Sequence, residues 1–220
     1  VNLAKNIAIA CDNQGVKLVH ISTDHLFSGN ESFVTEESGT APINNYAKTK
    51  LEGEQQVQKN CKDALIIRTN FFCWGTKYRQ SFSDFIISKL RNNESIDLFS
   101  DVFFTTILAE ELAQKVHQLI DAKASGVFNV VGSECMSKYE FGVKLANCFG
   151  LDANLINEIS INDKPNLVKR PKDMSLSNKK ICKTLNCKMP SIDEQLQTLK
   201  QQESDSAINH IRTDIIPYGR

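Results

Sequence analysis

The sequence predicts an α/β fold in which a parallel sheet is followed by a smaller, helix-rich lobe. Short β-branched or apolar runs alternate with amphipathic segments through residue 131, which is the order of parallel strands joined by helical crossovers. The last third of the chain instead carries two capping boxes that begin helices, Ser137-x-x-Glu140 and Ser191-x-x-Glu194. Apolar residues make up 41% and charged residues 24% of the 220 residues, as in ordinary globular proteins.

The individual elements follow from apolar spacing. Apolar residues at every third or fourth position predict a helix over 2–13, stopped by Asn13-Gln14-Gly15, and a β-branched run predicts a strand over 16–22. The polar stretch at 23–45 is a long loop, and loops of this length in compact domains tend to be functional. The remaining predictions are helices at 46–59, from Ser81, at 107–121, 137–149 and 191–201, strands at 64–69, 95–99 and 127–131, and a polar tail at 204–220.

Charge and cysteine content exclude several classes of protein. Lys+Arg and Asp+Glu are both 26, and a net charge of zero argues against nucleic-acid binding. No apolar run reaches the length of a membrane span and no signal-peptide pattern opens the chain, so we expect a cytoplasmic protein without membrane contact. The seven cysteines are odd in number and scattered, without C-x-x-C or zinc-ligand spacing, which predicts reduced thiols and no metal site.

Tyr46-x-x-x-Lys50 lies at the start of the helix predicted over 46–59. Positions i and i+4 share one helix face, so we expect the ammonium group of Lys50 beside the phenol of Tyr46. A free tyrosine has a pKa of about 10, too high for proton transfer at neutral pH, and a nearby cation lowers it. Such a tyrosine can protonate a carbonyl oxygen. Taken alone, the spacing favours a solvent-exposed helix face over a catalytic pair.

A second element precedes this pair. The strand over 16–22 leads directly into Thr23, Asp24 and His25, and ligands of parallel α/β sheets bind at the carboxyl ends of strands. A hydroxyl group there can stabilise negative charge that develops on a substrate oxygen, although Ser/Thr/Asp turns also occur after strands for structural reasons. The order strand, Ser-Thr-Asp, long loop and Tyr46-x-x-x-Lys50 favours a catalytic site over either alternative.

This order resembles the extended short-chain dehydrogenase/reductase superfamily, and most closely the dTDP-4-dehydrorhamnose reductases and their relatives. The resemblance rests on H-I-S-T-D-H-L-F-S-G at 20–29, P-I-N-N-Y-A-K-T-K-L-E-G-E at 42–54, I-I-R-T-N at 66–70, G-V-F-N-V-V-G-S-E at 126–134, S-K-Y-E-F at 137–141 and K-R-P-K-D at 169–173. It implies a partial Rossmann-type sheet with a substrate-binding lobe. It also implies NADPH or NADH as cofactor and a nucleotide-linked 4-keto-6-deoxy sugar as substrate, in nucleotide-sugar and polysaccharide biosynthesis.

The resemblance also implies roles for individual residues. Thr23 would polarise the keto oxygen, Tyr46 would be the general acid, and Lys50 would lower the pKa of Tyr46 and bind the nicotinamide ribose. The other implied residues are Thr69 and Asn70 for the cofactor; Thr23, Asp24, His25, Phe71 and Arg170 for the substrate; Lys169, with Arg170, for a diphosphate; and Asn2 for a proton relay. The two basic residues also fit a solvated loop.

Two positions depart from the family pattern. His25 stands where the family usually has Tyr, and Phe71 stands where it often has Trp, so the identity of the sugar stays open. Nucleotide-sugar 4,6-dehydratases of the superfamily resemble S-T-D-E at this point, and the absence of a carboxylate at 25 favours reduction over dehydration. A turn histidine bonded to backbone is the simpler interpretation of His25.

The glycines of the chain form neither G-x-G-x-x-G nor G-x-x-G-x-x-G, the loops that receive a dinucleotide pyrophosphate. We therefore expect the N-terminal strands of the sheet to be missing from this sequence. The expected organisation is the C-terminal part of a dinucleotide-binding domain with the catalytic residues at 1–100, a substrate-binding lobe with returning sheet elements at 101–203, and the tail at 204–220.

The leading hypothesis is a reductase of a nucleotide sugar, with a homodimer as a possible assembly. The alternatives are an epimerase of the same superfamily and a non-catalytic binding or regulatory subunit, because a related fold serves as the accessory subunit of methionine adenosyltransferase. The three predicted catalytic residues argue against a purely structural role.

Overall fold

The computed structural model describes residues 1–76 and 78–204. The strands are β1 (Val19–Ile21), β2 (Leu65–Arg68), β3 (Phe71–Phe72), β4 (Ile96–Phe99), β5 (Phe103–Thr105), β6 (Ile107–Leu108), β7 (Gly126–Asn129), β8 (Cys135–Ser137), β9 (Ile156–Ile159) and β10 (Asp173–Met174). The α-helices are α1 (Asn2–Gln14), α2 (Asn45–Asn60), α3 (Phe82–Arg91), α4 (Ala109–Asp121), α5 (Lys138–Phe149), α6 (Lys179–Leu185) and α7 (Ile192–Ser204).

The central sheet has the strand order β1-β2-β7, and all pairs are parallel. β2 lies in the middle and is apolar at its first three positions. Leu65 and Ile67 pack with α4 and α6 on one face, while Ile66 packs with α1 and α2 on the other. Successive strand residues point to opposite faces, so a continuous apolar run is what a sheet covered on both sides requires. The predicted α/β fold with parallel strands is confirmed.

The helix that carries Tyr46 begins where the sequence predicts. The side chain of Asn44 accepts a hydrogen bond from the backbone N–H of Ala47 at 2.9 Å and so caps α2. The first helix ends at Gly15, whose φ of 63° lies in the left-handed region that suits glycine. Gly15 thus ends the helix before β1, and Asn44 begins the helix after it.

A second group of strands surrounds the largest apolar cluster. β5 pairs with β10 in parallel and with β8 in antiparallel orientation, while β4 pairs with β9 and β3 with β6. The cluster gathers around the ring of Phe141, against which Phe72, Phe82 and Phe104 pack at centroid distances of 5.3–5.7 Å. The part of the chain predicted to be helix-rich therefore also contains short strands.

Most of these strands were not predicted, because runs of two to four residues are too short to show alternation. Ile107 and Leu108 were predicted as the start of a helix but form β6, and α6 was not predicted. The predicted tail lies outside the described residues except for Ser204. All seven cysteines are free thiols. No helix in the described ranges is both long and apolar enough to cross a membrane.

Candidate active site

The turn that follows β1 is buried. Ser22, Thr23 and Asp24 expose 6%, 5% and 1% of their surface, and the backbone N–H of Ser22 continues the sheet with a bond to the carbonyl of Ile67. The hydroxyl of Thr23 donates to Asp24 Oδ1 at 3.2 Å and accepts from the backbone N–H of His25 at 3.3 Å. The turn is therefore held by the same side chains that the sequence singled out.

Tyr46 projects from the first turn of α2 toward this turn. Its ring meets the ring of His25 edge to face, with centroids 5.8 Å apart. The side chain is 55% exposed, and its hydroxyl forms no hydrogen bond to any of the described residues. A phenol that is fixed by a ring contact and open at its hydroxyl end can meet a ligand from solvent.

Lys50, one turn further along α2, reaches the other side of the turn. Its ammonium group donates a hydrogen bond of 2.8 Å to the carbonyl of Ile21, the last residue of β1. Burial lowers the pKa of Lys50, and the carboxylate of Glu54 partly offsets this effect. Tyr46 and Lys50 thus contact residues that lie two positions after and two positions before Thr23.

The helix that presents this pair is tied to the sheet by a buried ion pair. Arg68 at the end of β2 donates to both carboxylate oxygens of Glu54, from Nη2 at 2.9 Å and from Nε at 3.1 Å. Both side chains are almost completely buried, and the guanidinium also lies over the ring of Phe27. Buried charges need such bidentate pairing, so the contact fixes α2 against β2.

Asp24 is the centre of a polar network. Asn70 donates from Nδ2 to Asp24 Oδ2 at 2.7 Å, and Nε2 of His25 lies 3.8 Å from Asp24 Oδ1. Burial lowers the pKa of His25; Asp24 opposes the shift, while Lys138 and Arg170 add to it. Nδ1 of His25 is buried without a partner among the described residues. The network brings the loop after β1 to residues from distant parts of the chain.

The predicted cofactor residues Thr69 and Asn70 both form hydrogen bonds within the protein. Thr69 donates its hydroxyl to the carbonyl of Val130 at 2.7 Å, and the amide of Asn70 is bound to Asp24. Asn2 begins α1 and is exposed, and Phe71 on β3 is 49% exposed. The assigned roles of these residues stay predictions.

Lys169 and Arg170 lie at a cavity of about 530 Å³ between the loop after β1 and the loop before β10. The side chain of Asn44, which caps α2, donates to the backbone carbonyl of Lys169 at 3.0 Å. Arg170 is close enough to His25 and Lys138 to lower the pKa of both. Its position at the edge of the network agrees with the predicted contact to a substrate, which stays a prediction.

Sequence reasoning missed Lys138. It follows the N-cap Ser137 of α5, and its Nζ lies 3.2 Å above the centroid of the Phe104 ring. Burial lowers the pKa of Lys138 to about 7, with Asp24 opposing and Arg170 adding to the shift. The motif S-K-Y-E-F contains this lysine, but only the fold shows that it faces Asp24.

No group of three or more His, Cys, Asp or Glu side chains in residues 1–76 and 78–204 is arranged to hold a metal ion.

The parallel sheet, the Ser-Thr-Asp turn after β1 and the Tyr46–Lys50 pair on α2 define the class as an extended short-chain dehydrogenase/reductase fold. The chain belongs to the RmlD substrate binding domain family, whose model matches residues 1–204.

Three comparisons illustrate this membership. The chain is 31% identical over 205 residues to the "probable low-salt glycan biosynthesis reductase Agl14" of Haloferax volcanii, covering 91% of this chain and 68% of that protein. It is 31% identical over 190 residues to the methionine adenosyltransferase 2 subunit beta of Rattus norvegicus, covering 82% of this chain and 54% of that protein. The chain thus spans between about half and two thirds of the length of these relatives.

Among solved structures, the chain resembles the dTDP-4-dehydrorhamnose reductase of Bacillus anthracis in complex with NADP. The TM-score is 0.84 at 27% identity, and the match covers 90% of this chain and 70% of that one. The arrangement of β1, β2, β7 and their helices is therefore that of a Rossmann-type reductase structure.

Proposed function

We propose that this chain is the catalytic and substrate-binding part of an NAD(P)H-dependent reductase of a nucleotide-linked 4-keto-6-deoxy sugar. The observation that carries the proposal is the convergence of Tyr46 and Lys50 on the two sides of Thr23, at the carboxyl end of β1. Relatives named as a glycan biosynthesis reductase and as dTDP-4-dehydrorhamnose reductases support the same activity.

In this proposal, Tyr46, Thr23 and Lys50 have different roles in proton transfer and substrate orientation. The exposed hydroxyl of Tyr46 donates its proton to the keto oxygen as this oxygen gains negative charge. Thr23 orients the same oxygen with its hydroxyl, which turns away from Asp24 to do so. Lys50 supplies positive charge near the phenolate that remains, and this charge favours its formation.

The side chains of the chain fit one half of a dinucleotide cofactor. Tyr46 presents a free hydroxyl, and Lys50 presents donor hydrogens beyond the single bond to Ile21, which suits a ribose with two hydroxyl groups. A reduced nicotinamide supplies the hydride when bound. The pyrophosphate half would need a glycine-rich loop, for which this sequence provides no motif.

Reduction is favoured over elimination by the residue that follows Asp24. The 4,6-dehydratases of the superfamily resemble S-T-D-E at this point and use a second carboxylate beside the aspartate to eliminate water, whereas this chain has His25 at that position. Asp24 itself is occupied by Asn70 and Thr23. The site therefore provides a proton donor and orienting groups, as a ketone reduction requires.

The test is NADPH or NADH oxidation with a dTDP-4-keto-6-deoxy sugar, using the protein with its natural termini. Tyr46→Phe is expected to reduce kcat by about 10²–10⁴-fold, the usual contribution of a general acid, with little change in substrate binding. Tyr78→Phe is the matched control, because Tyr78 is 73% exposed and remote in sequence from the site. Unchanged turnover in Tyr46→Phe would remove this tyrosine from the mechanism.

A regulatory subunit is the second candidate, favoured by the 31% identity to methionine adenosyltransferase 2 subunit beta. Such a subunit binds a partner and shows no turnover of a keto sugar. Oxidation of NADPH or NADH that requires both the keto sugar and Tyr46 would identify the protein as a reductase. Its absence, together with co-purification with a methionine adenosyltransferase catalytic subunit, decides for the regulatory role.

A further inference from the structure

Lys138 carries donor hydrogens that the protein leaves unused. Its ammonium group has no hydrogen-bond acceptor and no ion-pair partner among the described residues. It rests on the faces of Phe104 and Phe82, with Nζ at 3.2 Å and 5.0 Å from their ring centroids. Phe104 is 1% exposed and packs with Phe141, so the rings that hold the ammonium group are fixed.

The backbone of Lys138 is also held in place by hydrogen bonds. Lys138 begins α5 directly after β8, and its N–H donates to the carbonyl of Val102 at 3.0 Å. Ser137 and Glu140 form a capping box at the same helix start. Lys138 is only partly buried as a residue, so this end of the network is not closed off from solvent.

The charged and titratable groups that face Lys138 belong to other elements. Asp24 lies on the loop after β1, Arg170 on the loop before β10, and His25 follows Asp24. The side chains of α3 and β5 that face the ammonium group are the aromatic Phe82 and Phe104. Asp24 raises the pKa of Lys138 without forming an ion pair with it. Each carboxylate oxygen of Asp24 accepts one hydrogen bond, from Thr23 or from Asn70, and a carboxylate oxygen can accept a second.

We infer that Lys138 is a specificity-determining residue of the substrate lobe, and that it donates a hydrogen bond to a sugar hydroxyl or ring oxygen on the side of the bound sugar opposite Asp24. An ionised carboxylate only accepts hydrogen bonds and an ammonium group only donates them. A sugar hydroxyl does both, so one hydroxyl group can donate to Asp24 and accept from Lys138. The inference rests on the proposed function.

The pH dependence of substrate binding follows from the position of this amine. Burial beside Phe104 brings the pKa of Lys138 to about 7, so the strongly donating ammonium form is lost as the pH rises through this value. The KM for the keto-sugar nucleotide is therefore expected to rise above about pH 7, while kcat changes little. His25 titrates at lower pH because burial depresses its pKa, so the two effects are separable.

The experiment compares Lys138→Met and Lys138→Arg with the parent protein. Below pH 7, Lys138→Met is expected to raise the KM roughly tenfold, the range for loss of one charge-assisted hydrogen bond, with kcat within about twofold. Lys138→Arg stays charged and is expected to keep a low KM without a rise above pH 7. Lys144→Met is the control, because Lys144 lies on the same helix but is paired with Asp193 at the surface.

Calorimetric titration with the product sugar nucleotide and with the bare nucleoside diphosphate separates the inference from the proposed function. Selective loss of affinity for the sugar nucleotide in Lys138→Met supports the inference even where turnover is absent. Equal loss for both ligands, or no loss for either, overturns it. If Lys138→Met does not fold, the pH profile of Lys138→Arg decides, since a retained rise in KM above pH 7 would contradict the assignment.

Discussion

The ammonium group of Lys50 donates a 2.8 Å hydrogen bond to the carbonyl of Ile21 and thereby joins α2 to the end of β1. Ile21 is the last residue of β1 and Thr23 lies two residues beyond it. The bond therefore sets the distance between α2 and the hydroxyl turn. The proposed function gives Lys50 a second role beside this bond, which is to supply positive charge near the phenolate of Tyr46.

Lys50→Met tests this double role. The variant keeps the length of the side chain but loses both the charge and the bond to Ile21. We expect kcat/KM to fall about 10²-fold or more, as for loss of a group that supports general acid catalysis. Lys48→Met, an exposed position on the same helix, provides the control. The measurement is kcat/KM of both variants by steady-state kinetics. Equal values would show that Lys50 neither positions α2 nor supports Tyr46.

The ion pair between Glu54 and Arg68 makes a prediction for stability. Glu54→Gln leaves the buried guanidinium without its counter-charge, and breaking a buried pair in this way costs about 3–5 kcal/mol. We expect the midpoint of urea unfolding to drop accordingly. The control is Glu52→Gln, because Glu52 is exposed on the same helix. A loss no greater than that of the control would mean that α2 is held by apolar packing alone.

The sequence was sufficient for the elements whose signals are local. The helix that carries Tyr46 and Lys50 and the apolar run of β2 were predicted from neighbours within a few residues, and both elements are present in the structure. The Ser-Thr-Asp turn is likewise a local motif, and its place after β1 follows from the parallel order of the strands.

What the sequence did not provide depends on contacts between distant segments. The hydrogen bond from the amide of Asn70 to Asp24 joins residues 46 positions apart, and the predicted contact of Asn70 with the cofactor stays a prediction. Lys138 acquires its position only when β8 pairs with β5 and carries the start of α5 over Phe104. Pairing of such short strands is determined by the packing around them, and no period in the sequence reveals it.

His25 offers a prediction about pH. Burial lowers its pKa below the ordinary value of 6.5, so folding disfavours the protonated form. The unfolded chain then binds more protons between the two pKa values, and the stabilising contribution is complete above pH 6.5 and is lost as the pH falls toward the folded pKa. An NMR titration should give a pKa for His25 below 6.5. Comparison with the His25→Gln variant assigns the His25 resonance. A pKa above 6.5 would indicate that Asp24 dominates over burial.

Gly132 carries a prediction about how the loop after β7 packs against the backbone between β5 and β6. A Cβ atom at this position would lie 2.5 Å from the backbone carbonyl oxygen of Thr106, to which the N–H of Gly132 also donates. A backbone atom cannot move aside as a flexible side chain can, so Gly132→Ala is expected to destabilise the fold by about 1–3 kcal/mol, the usual cost of overpacking. Gly39→Ala is the matched control, because no atom lies within 4 Å of a Cβ there. Thermal unfolding of the two variants, followed by circular dichroism, should show a lower Tm for Gly132→Ala only; equal Tm values would show that the loop after β7 shifts to accept a methyl group.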